Sequence, residues 1–189
     1  MGSGRPHPSP HVLVLPLPSP GHINPMLSFA THLSLRGVII TFINTNKAQE
    51  RINLNTTPIT PSPHDLPPDD PSMHIPDIRF HTIVGPCQEP GPPGATMDPS
   101  QFASLLAAIT SQCHVIEDLI VDSQSSVHPI TCIVSDPFFP WTQPLADKLG
   151  IQRILFWTTN GLGLASTSEM RSPLFRFPGK FFVYFSREA

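Results

Sequence analysis

Short apolar runs alternate with amphipathic stretches along this chain. Five runs of six or seven residues are almost continuously apolar and rich in β-branched side chains, which is typical of strands buried on both faces of a parallel sheet. These runs are residues 11–17, 38–43, 78–84, 130–135 and 152–157. The pattern therefore predicts five parallel strands.

Helical patterns lie between the strands, at residues 24–36, 101–121 and 138–149. The clearest one has apolar residues at steps of three and four. They are Phe102, Leu105, Leu106, Ile109, Cys113, Ile116, Leu119 and Ile120. Three Asx-Pro pairs, Asn24-Pro25, Asp98-Pro99 and Asp136-Pro137, predict helix starts, and Gly150 predicts a helix end.

The alternation of strand and helix predicts an α/β fold, a Rossmann-like doubly wound parallel sheet with strand order 3-2-1-4-5. The length of 189 residues fits one domain, and 25 prolines interrupt it in clusters. We predict a flexible tail at 1–10, a domain at 11–170 with proline-rich loops at about 56–77 and 85–99, and an atypical aromatic and basic tail at 171–189.

Composition excludes several functions. The formal net charge is −3 with 13% charged residues, so the sequence lacks the excess of basic residues that is typical of nucleic-acid-binding proteins. Three cysteines are too few and too widely spaced for a disulfide framework or a zinc cluster, which suits a reducing compartment. No targeting signal and no apolar run of about 20 residues is visible, so we expect a cytoplasmic protein without an integral membrane segment.

Candidate chemistry lies where the strand order reverses, because ligands of doubly wound sheets bind beyond the carboxyl ends of the strands at that point. His22 follows the first predicted strand, Asp136 ends the fourth, and Thr158 follows the fifth. A neutral imidazole can take a proton from a hydroxyl, while a carboxylate on its far nitrogen fixes the tautomer. Since no serine or cysteine has a nucleophile-elbow setting, the pair suggests activation of a substrate's own hydroxyl.

Each of these residues also has a simpler interpretation. Asp136 is explained as a helix cap, His22 as an incidental loop histidine, and Thr158 as a polar residue at a strand end. Their shared position on one edge of the sheet favours the functional interpretation. Dinucleotide and ATP binding are disfavoured, because the first turn has neither the G-x-G-x-x-G fingerprint nor a P-loop lysine.

Two blocks of sequence resemble the plant-type UDP-dependent glycosyltransferases. The first is HVLVLPLPSPGHINPML at residues 11–27, followed by ITFINT at 40–45. The second is CIVSDPFFPW at 132–141, continuing through ADKLG at 146–150 to LFWTT at 155–159. The resemblance covers most of residues 11–170 and implies the N-terminal, acceptor-binding half of a GT-B glycosyltransferase.

The resemblance implies roles for individual residues. His22 matches the base that deprotonates the acceptor hydroxyl, and Asp136 the acid that orients it. Gly21 matches the loop beside the donor phosphates, and Thr158 a threonine that contacts the donor sugar. The implied reaction is a single inverting displacement that transfers a sugar, most often glucose, from a UDP-sugar co-substrate to a small lipophilic acceptor without a cofactor or metal.

Phe138 and Phe139 are expected on the apolar acceptor side, although core packing is the alternative for them. Two departures from the family pattern bear on activity: the UDP-sugar domain is absent from the sequence, and residues 171–189 resemble a foreign end more than the family's continuation. The alternative function is therefore a catalytically inactive fragment that binds an acceptor-like metabolite or a full-length relative. The sequence predicts no oligomeric state.

Overall fold

A computed structural model describes residues 9–55, 76–85 and 98–158. Strands and helices follow one another along these ranges. They are β1 His11–Leu15, α1 Pro20–Ser34, β2 Ile39–Thr45, α2 Asn46–Asn55, β3 Ile78–Ile83, α3 Pro99–Thr110, α4 Cys113–Ser123, β4 Ile130–Ser135, α5 Thr142–Leu149 and β5 Gln152–Leu155. Almost all of the predicted tails and loops lie outside the described residues.

The five strands form one sheet in the order β3-β2-β1-β4-β5, and every neighbouring pair is parallel. All five predicted strands and their order are confirmed, with ends that differ by at most two residues. The central strand β1 pairs with β2 on one side and β4 on the other, so Leu13 lies between Thr41 and Ile133. The fold class is therefore the predicted doubly wound α/β sheet.

Alternate residues of β1 enter two cores, one on each face of the sheet. Leu13 and Leu15 pack in the cluster that contains Ile109 of α3 and Ile116 of α4. Val12 and Val14 pack in the cluster on the opposite face. That second cluster includes Ile23, Met26 and Ala30 of α1 and Ile40 and Phe42 of β2. Because both faces are covered, the central strands β1 and β2 are buried along their whole length and consist mostly of apolar residues.

Helix α1 begins at Pro20 with Ser19 as its N-cap residue, so the predicted start at Asn24-Pro25 is wrong. Proline at the first helical position loses no hydrogen bond, since the first N–H groups of a helix have no internal partner. Pro25 lies within the helix, where it leaves only the Gly21 carbonyl without its i+4 donor. The correction places His22 in the first turn of α1 instead of in a preceding loop.

The predicted helix over 101–121 is two helices, α3 and α4, separated at Ser111 and Gln112. The predicted start at Asp98-Pro99 is confirmed, because the Asp98 side chain accepts from the backbone N–H groups of Ser100 and Gln101. Among the described residues, the stretch Pro99–Ser123 is long and apolar enough to cross a membrane by length and composition alone. Core helices of globular proteins pass the same test, and the absence of an integral membrane segment stays a prediction.

Helix α5 begins at Thr142, so the predicted start at Asp136-Pro137 is also wrong. Turns at 137–138 and 140–141 precede the helix, and Asp136 starts the first of these. Its backbone carbonyl accepts from Phe139 N–H at 3.2 Å, and its side-chain Oδ1 accepts from Phe138 N–H at 3.1 Å. At the other end Gly150 adopts φ 67°, which confirms the predicted stop. Helix α2 was not predicted, since its ten residues are mostly polar.

Replacing Gly150 with alanine is expected to lower the free energy of unfolding by about 1 kcal/mol, because a Cβ is strained in the left-handed region. No atom lies within 4 Å of a Cβ built at either Gly150 or Gly21, so packing plays no part at either position. Gly21→Ala is the matched control, since Gly21 lies within helix α1. Urea denaturation measures both; equal losses in the two variants would contradict the backbone argument.

Candidate active site

His22 lies at the carboxyl edge of the sheet, in the first turn of α1. Its backbone N–H donates to the Ser19 carbonyl at 2.9 Å, which holds the residue in the helix start. The side chain is 19% exposed, so one part of the ring is packed and another reaches the surface. Because α1 begins directly after the β1 turn, the imidazole is presented at the point where the strand order reverses.

Asp136 follows β4, and its carboxylate is fully buried. Its backbone N–H donates to the Leu15 carbonyl at 3.0 Å, which continues the ladder between β4 and β1 by one residue. Carboxylate Oδ1 accepts from the Phe138 backbone N–H at 3.1 Å, and Oδ2 lies 2.6 Å from Nδ1 of His22. Both oxygens are thereby satisfied, as a buried carboxylate requires.

The short contact assigns the proton on the ring. An ionised carboxylate only accepts hydrogen bonds, so Nδ1 of His22 carries the hydrogen and donates it to Asp136. In the neutral ring Nε2 then keeps its lone pair. The pair is thus arranged as a base whose far nitrogen is fixed by a buried acid, and a carboxylate in that position stabilises the imidazolium formed on proton uptake.

Thr158, which follows β5 in the chain, completes the cluster. The Phe156 backbone N–H donates to the Ser135 carbonyl at 2.9 Å, so the chain still runs alongside β4 after β5 ends. Two residues later the hydroxyl oxygen of Thr158 lies 3.0 Å from Nδ1 of His22. The structure therefore brings together His22, Asp136 and Thr158, while Thr159 lies outside the described residues.

A buried polar network supports the turn that carries Asp136. The Thr142 hydroxyl donates to the Phe139 carbonyl at 2.7 Å and lies 2.9 Å from the Ser135 hydroxyl. The Arg153 Nε–H donates to that Ser135 hydroxyl at 3.0 Å. Sequence reasoning missed this network. Its members come from β4, α5 and β5, and no spacing in the sequence signals that they meet.

Two aromatic rings lie beside His22. Phe138 is 42% exposed, and its ring centroid lies 6.0 Å from that of His22. Phe102 of α3 packs edge-to-face on Phe138 at a centroid distance of 5.1 Å. The sequence assigned Phe102 only to the apolar face of a helix, so its place at the site was missed.

Phe139 is placed differently from its neighbour. Its side chain is fully buried in the core, with its ring 6.1 Å from that of Trp141. The prediction that Phe139 contacts the acceptor is therefore corrected, because no part of its ring is exposed to a ligand. Adjacent residues diverge here because the 137–141 turns direct one ring outward and the other inward.

Gly21 lies next to His22 in the first turn of α1 and is exposed. No atom lies within 4 Å of the position that a Cβ would occupy there. The first turn of a helix presents backbone N–H groups and a partial positive charge, which favour anions. This environment is compatible with the expected role of Gly21 beside phosphates.

Across the described ranges, no group of three or more His, Cys, Asp or Glu residues is placed to hold a metal ion. Burial raises the pKa of the Cys132 thiol to about 11, so this group stays protonated at neutral pH and is a poor ligand or nucleophile. The absence of a metal requirement stays a prediction.

Solved structures show the fold class. The chain matches Arabidopsis thaliana UGT89C1 complexed with quercetin at a TM-score of 0.62 and 22% identity, covering 88% of this chain and 39% of that one. The same protein complexed with UDP-L-rhamnose matches at a TM-score of 0.58 over 79% and 36% of the two chains. The described sheet and helices are thus those of the N-terminal, Rossmann-like half of a GT-B protein.

Sequence comparison gives the family, although no family model matches. The chain is 35% identical over 159 residues to 7-deoxyloganetin glucosyltransferase of Gardenia jasminoides, and 35% identical over 159 residues to (R)-mandelonitrile beta-glucosyltransferase of Prunus dulcis. These matches cover 81% and 82% of this chain and 30% of each relative. UDP-glycosyltransferase 85A1 of Arabidopsis thaliana is 33% identical over 85% of this chain and 31% of its own length.

The chain belongs to the plant UDP-glycosyltransferases, as the sequence resemblance implied. It spans about three tenths of the length of the curated relatives that it matches.

Proposed function

We propose that this chain forms the acceptor-activating half of a UDP-sugar-dependent glycosyltransferase, with His22 as general base. The observation that carries the proposal is the 2.6 Å contact between His22 Nδ1 and the fully buried Asp136 carboxylate, with the imidazole 19% exposed. This arrangement leaves Nε2 as the basic nitrogen of a ring that a ligand can reach.

In the proposed step, Nε2 of His22 takes the proton of an acceptor hydroxyl. The freed oxygen lone pair forms a bond to the anomeric carbon of the UDP-sugar. The bond between that carbon and the phosphate oxygen breaks, and its electron pair leaves with UDP. Attack from the face opposite the leaving group inverts the anomeric configuration.

Asp136 contributes in two ways. Its Oδ2 fixes the Nδ1–H tautomer before the reaction, which keeps Nε2 available for the proton. After proton transfer its negative charge stabilises the imidazolium. Its second oxygen is held by the Phe138 N–H, so the carboxylate is already oriented when substrate binds. Preorganisation of this kind avoids reorientation during the reaction.

The donor side of the proposal involves Gly21 and Thr158. Gly21 lies in the exposed first turn of α1, where backbone N–H groups favour the diphosphate of a UDP-sugar. The Thr158 hydroxyl, 3.0 Å from Nδ1 of His22, is close enough to the base to contact the transferred sugar. The proposed donor is a UDP-sugar, most often UDP-glucose in the family that the sequence resembles.

The acceptor class follows from Phe138 and Phe102. These rings form an apolar wall beside His22, with Phe138 exposed enough to contact a ligand. Offset or edge-to-face contacts with such rings favour planar apolar molecules. We therefore propose a small lipophilic acceptor that carries its reactive hydroxyl on or next to an aromatic ring.

Replacing Phe138 with alanine is expected to raise the Kd for an aromatic acceptor about fivefold to tenfold, because one ring contact is lost. Phe102→Ala should weaken binding less, since its ring acts partly by supporting Phe138. Val121→Ala removes an exposed apolar side chain from α4 and serves as the control. Calorimetric titration with a flavonol measures all three; an unchanged Kd in both phenylalanine variants would refute the aromatic wall.

The experiment that tests the function uses the 189-residue chain with UDP-glucose and a panel of small aromatic alcohols and phenols. Glucoside formation is followed by mass spectrometry, and the anomeric configuration of the product by NMR. The proposal expects a product whose configuration is inverted relative to the donor. A product with retained configuration, or no binding of any acceptor, would overturn it.

A second candidate is binding of an acceptor-like metabolite without transfer. The observation in its favour is the pair of rings Phe138 and Phe102, which can hold an aromatic ligand whether or not a donor is bound. Separate titrations with acceptor and with UDP-glucose distinguish the candidates. Acceptor binding with neither donor binding nor product supports the second one, whereas product formation supports the first.

A further inference from the structure

Nδ1 of His22 faces two oxygens, Oδ2 of Asp136 at 2.6 Å and Oγ1 of Thr158 at 3.0 Å. A neutral imidazole has one hydrogen, and the contact with the carboxylate requires that hydrogen to be on Nδ1. A protonated ring nitrogen accepts no hydrogen bond. The Thr158 hydroxyl therefore cannot donate to Nδ1, so its oxygen is a second acceptor for the same N–H.

We propose that Thr158 is a positioning residue for His22, with its hydroxyl oxygen sharing the Nδ1–H with Asp136 in a three-centre hydrogen bond. This inference rests on the proposed role of His22 as the base. The imidazole rotates about its Cβ–Cγ bond, and a single hydrogen bond to Asp136 limits this motion with one contact only. A second oxygen at 3.0 Å restrains that rotation and thus fixes the direction of Nε2.

The backbone makes Thr158 suitable for this task. Strand β5 pairs with β4 in parallel, and the Phe156 N–H extends that pairing beyond the strand end. Asp136 extends the pairing of β4 with β1 in the same way. Both acceptors are therefore held by the sheet, while His22 is held by α1. The base is positioned between two groups that belong to one rigid element.

The restraint should be visible in the motion of the ring. A threonine hydroxyl can accept from Nδ1–H or donate to an Nδ1 lone pair, so it holds the ring in either tautomer. Removing it should therefore lower the order parameter of the His22 ring from about 0.85 to below about 0.6, values that separate rigid from flexible groups. Thr158→Val removes the hydroxyl with little change in volume, whereas Thr158→Ser retains it.

The test measures this order parameter by ¹³C relaxation of the histidine ring carbons in the full chain. The chain has nine histidines, and the spectrum of His22→Gln identifies the His22 signals by their loss. Thr158→Val is expected to lower the order parameter of the His22 ring, and Thr158→Ser to keep the wild-type value. Thr31→Val is the matched control, because Thr31 is a buried threonine of α1 whose hydroxyl donates to Leu27 and not to His22.

An unchanged order parameter in Thr158→Val, or equal decreases in Thr158→Val and Thr31→Val, would overturn the proposal. Amide spectra report whether each variant is folded; should Thr158→Val unfold, Thr158→Ala against Thr158→Ser gives the same comparison. The result is separable from the proposed function. Transfer that survives loss of His22 refutes the role of His22 as the base, whereas ring mobility that does not depend on Thr158 refutes only the positioning role.

Discussion

Replacing His22 with glutamine is expected to lower the rate of sugar transfer by about a hundredfold to ten-thousandfold, the range over which a positioned general base contributes. Glutamine can hydrogen-bond to the Asp136 carboxylate, but its amide has no basic nitrogen to take the acceptor proton. Acceptor affinity should change little, because Phe138 and Phe102 remain. Initial rates at saturating UDP-glucose, together with acceptor titration, separate the two quantities.

His32→Gln is the matched control for this substitution. His32 lies on the same helix, and its Nδ1 contacts the Ser28 carbonyl at 2.8 Å, away from Asp136. Asp136→Asn should also slow transfer strongly, since an amide cannot stabilise an imidazolium. The double variant should be little slower than His22→Gln alone, because the two residues act as a unit. Transfer by His22→Gln at the rate of His32→Gln would exclude His22 as the base.

Replacing Phe139 with alanine is expected to lower the free energy of unfolding by about 3–5 kcal/mol, the usual cost of truncating a buried phenylalanine. The ring is fully buried in the cluster that includes Leu13 of β1 and Ile133 of β4, so its removal leaves a cavity beside the central strands. Urea denaturation of the chain measures the change. The loss is a large fraction of the stability of an ordinary domain.

Phe138→Ala is the control for the Phe139 substitution, because it makes the same chemical change one residue away. Phe138 is 42% exposed, so its loss should cost about 1 kcal/mol or less. The two variants thereby compare a core ring with a solvent-exposed ring in adjacent positions. Similar losses of stability in both would show that the turn does not direct these side chains as the structure indicates.

The centre of the sheet could be predicted from sequence because β1 and β2 are buried along their whole length and consist mostly of apolar residues. The edge strands β3 and β5 each have one buried residue, and their β-branched and aromatic residues still indicated strands. The helix starts could not. Ser19-Pro20 and Asn24-Pro25 offer competing starts, and only packing of Ile23 into the core selects the earlier one. Helix α2 was not predicted because it has too few apolar residues to show a helical period. It is mostly polar, and the residue that it buries in the core is the small Ala48.

The polar part of the site could be predicted because topology brings strand ends together. His22 and Asp136 follow neighbouring parallel strands, so their meeting follows from the strand order alone. Phe102 could not be assigned to the site, since its helical spacing is the same as that of core residues such as Leu105. The contact between Thr158 and Nδ1 depends on a few ångströms of backbone path after β5, which no sequence pattern encodes.

The order of strands has a consequence for synthesis on the ribosome. Strand β1 is made first, but one of its edges stays unpaired until β4 emerges, over a hundred residues later. Until then the backbone N–H and C=O groups on that edge of β1 have no partner strand. Such an unpaired edge can pair with a strand of another chain. The contacts that join His22 to Asp136 and Thr158 span 114 and 136 residues, so they close among the last. A nascent chain that stalls before β4 therefore has His22 without its two partners and one edge of β1 without its neighbouring strand.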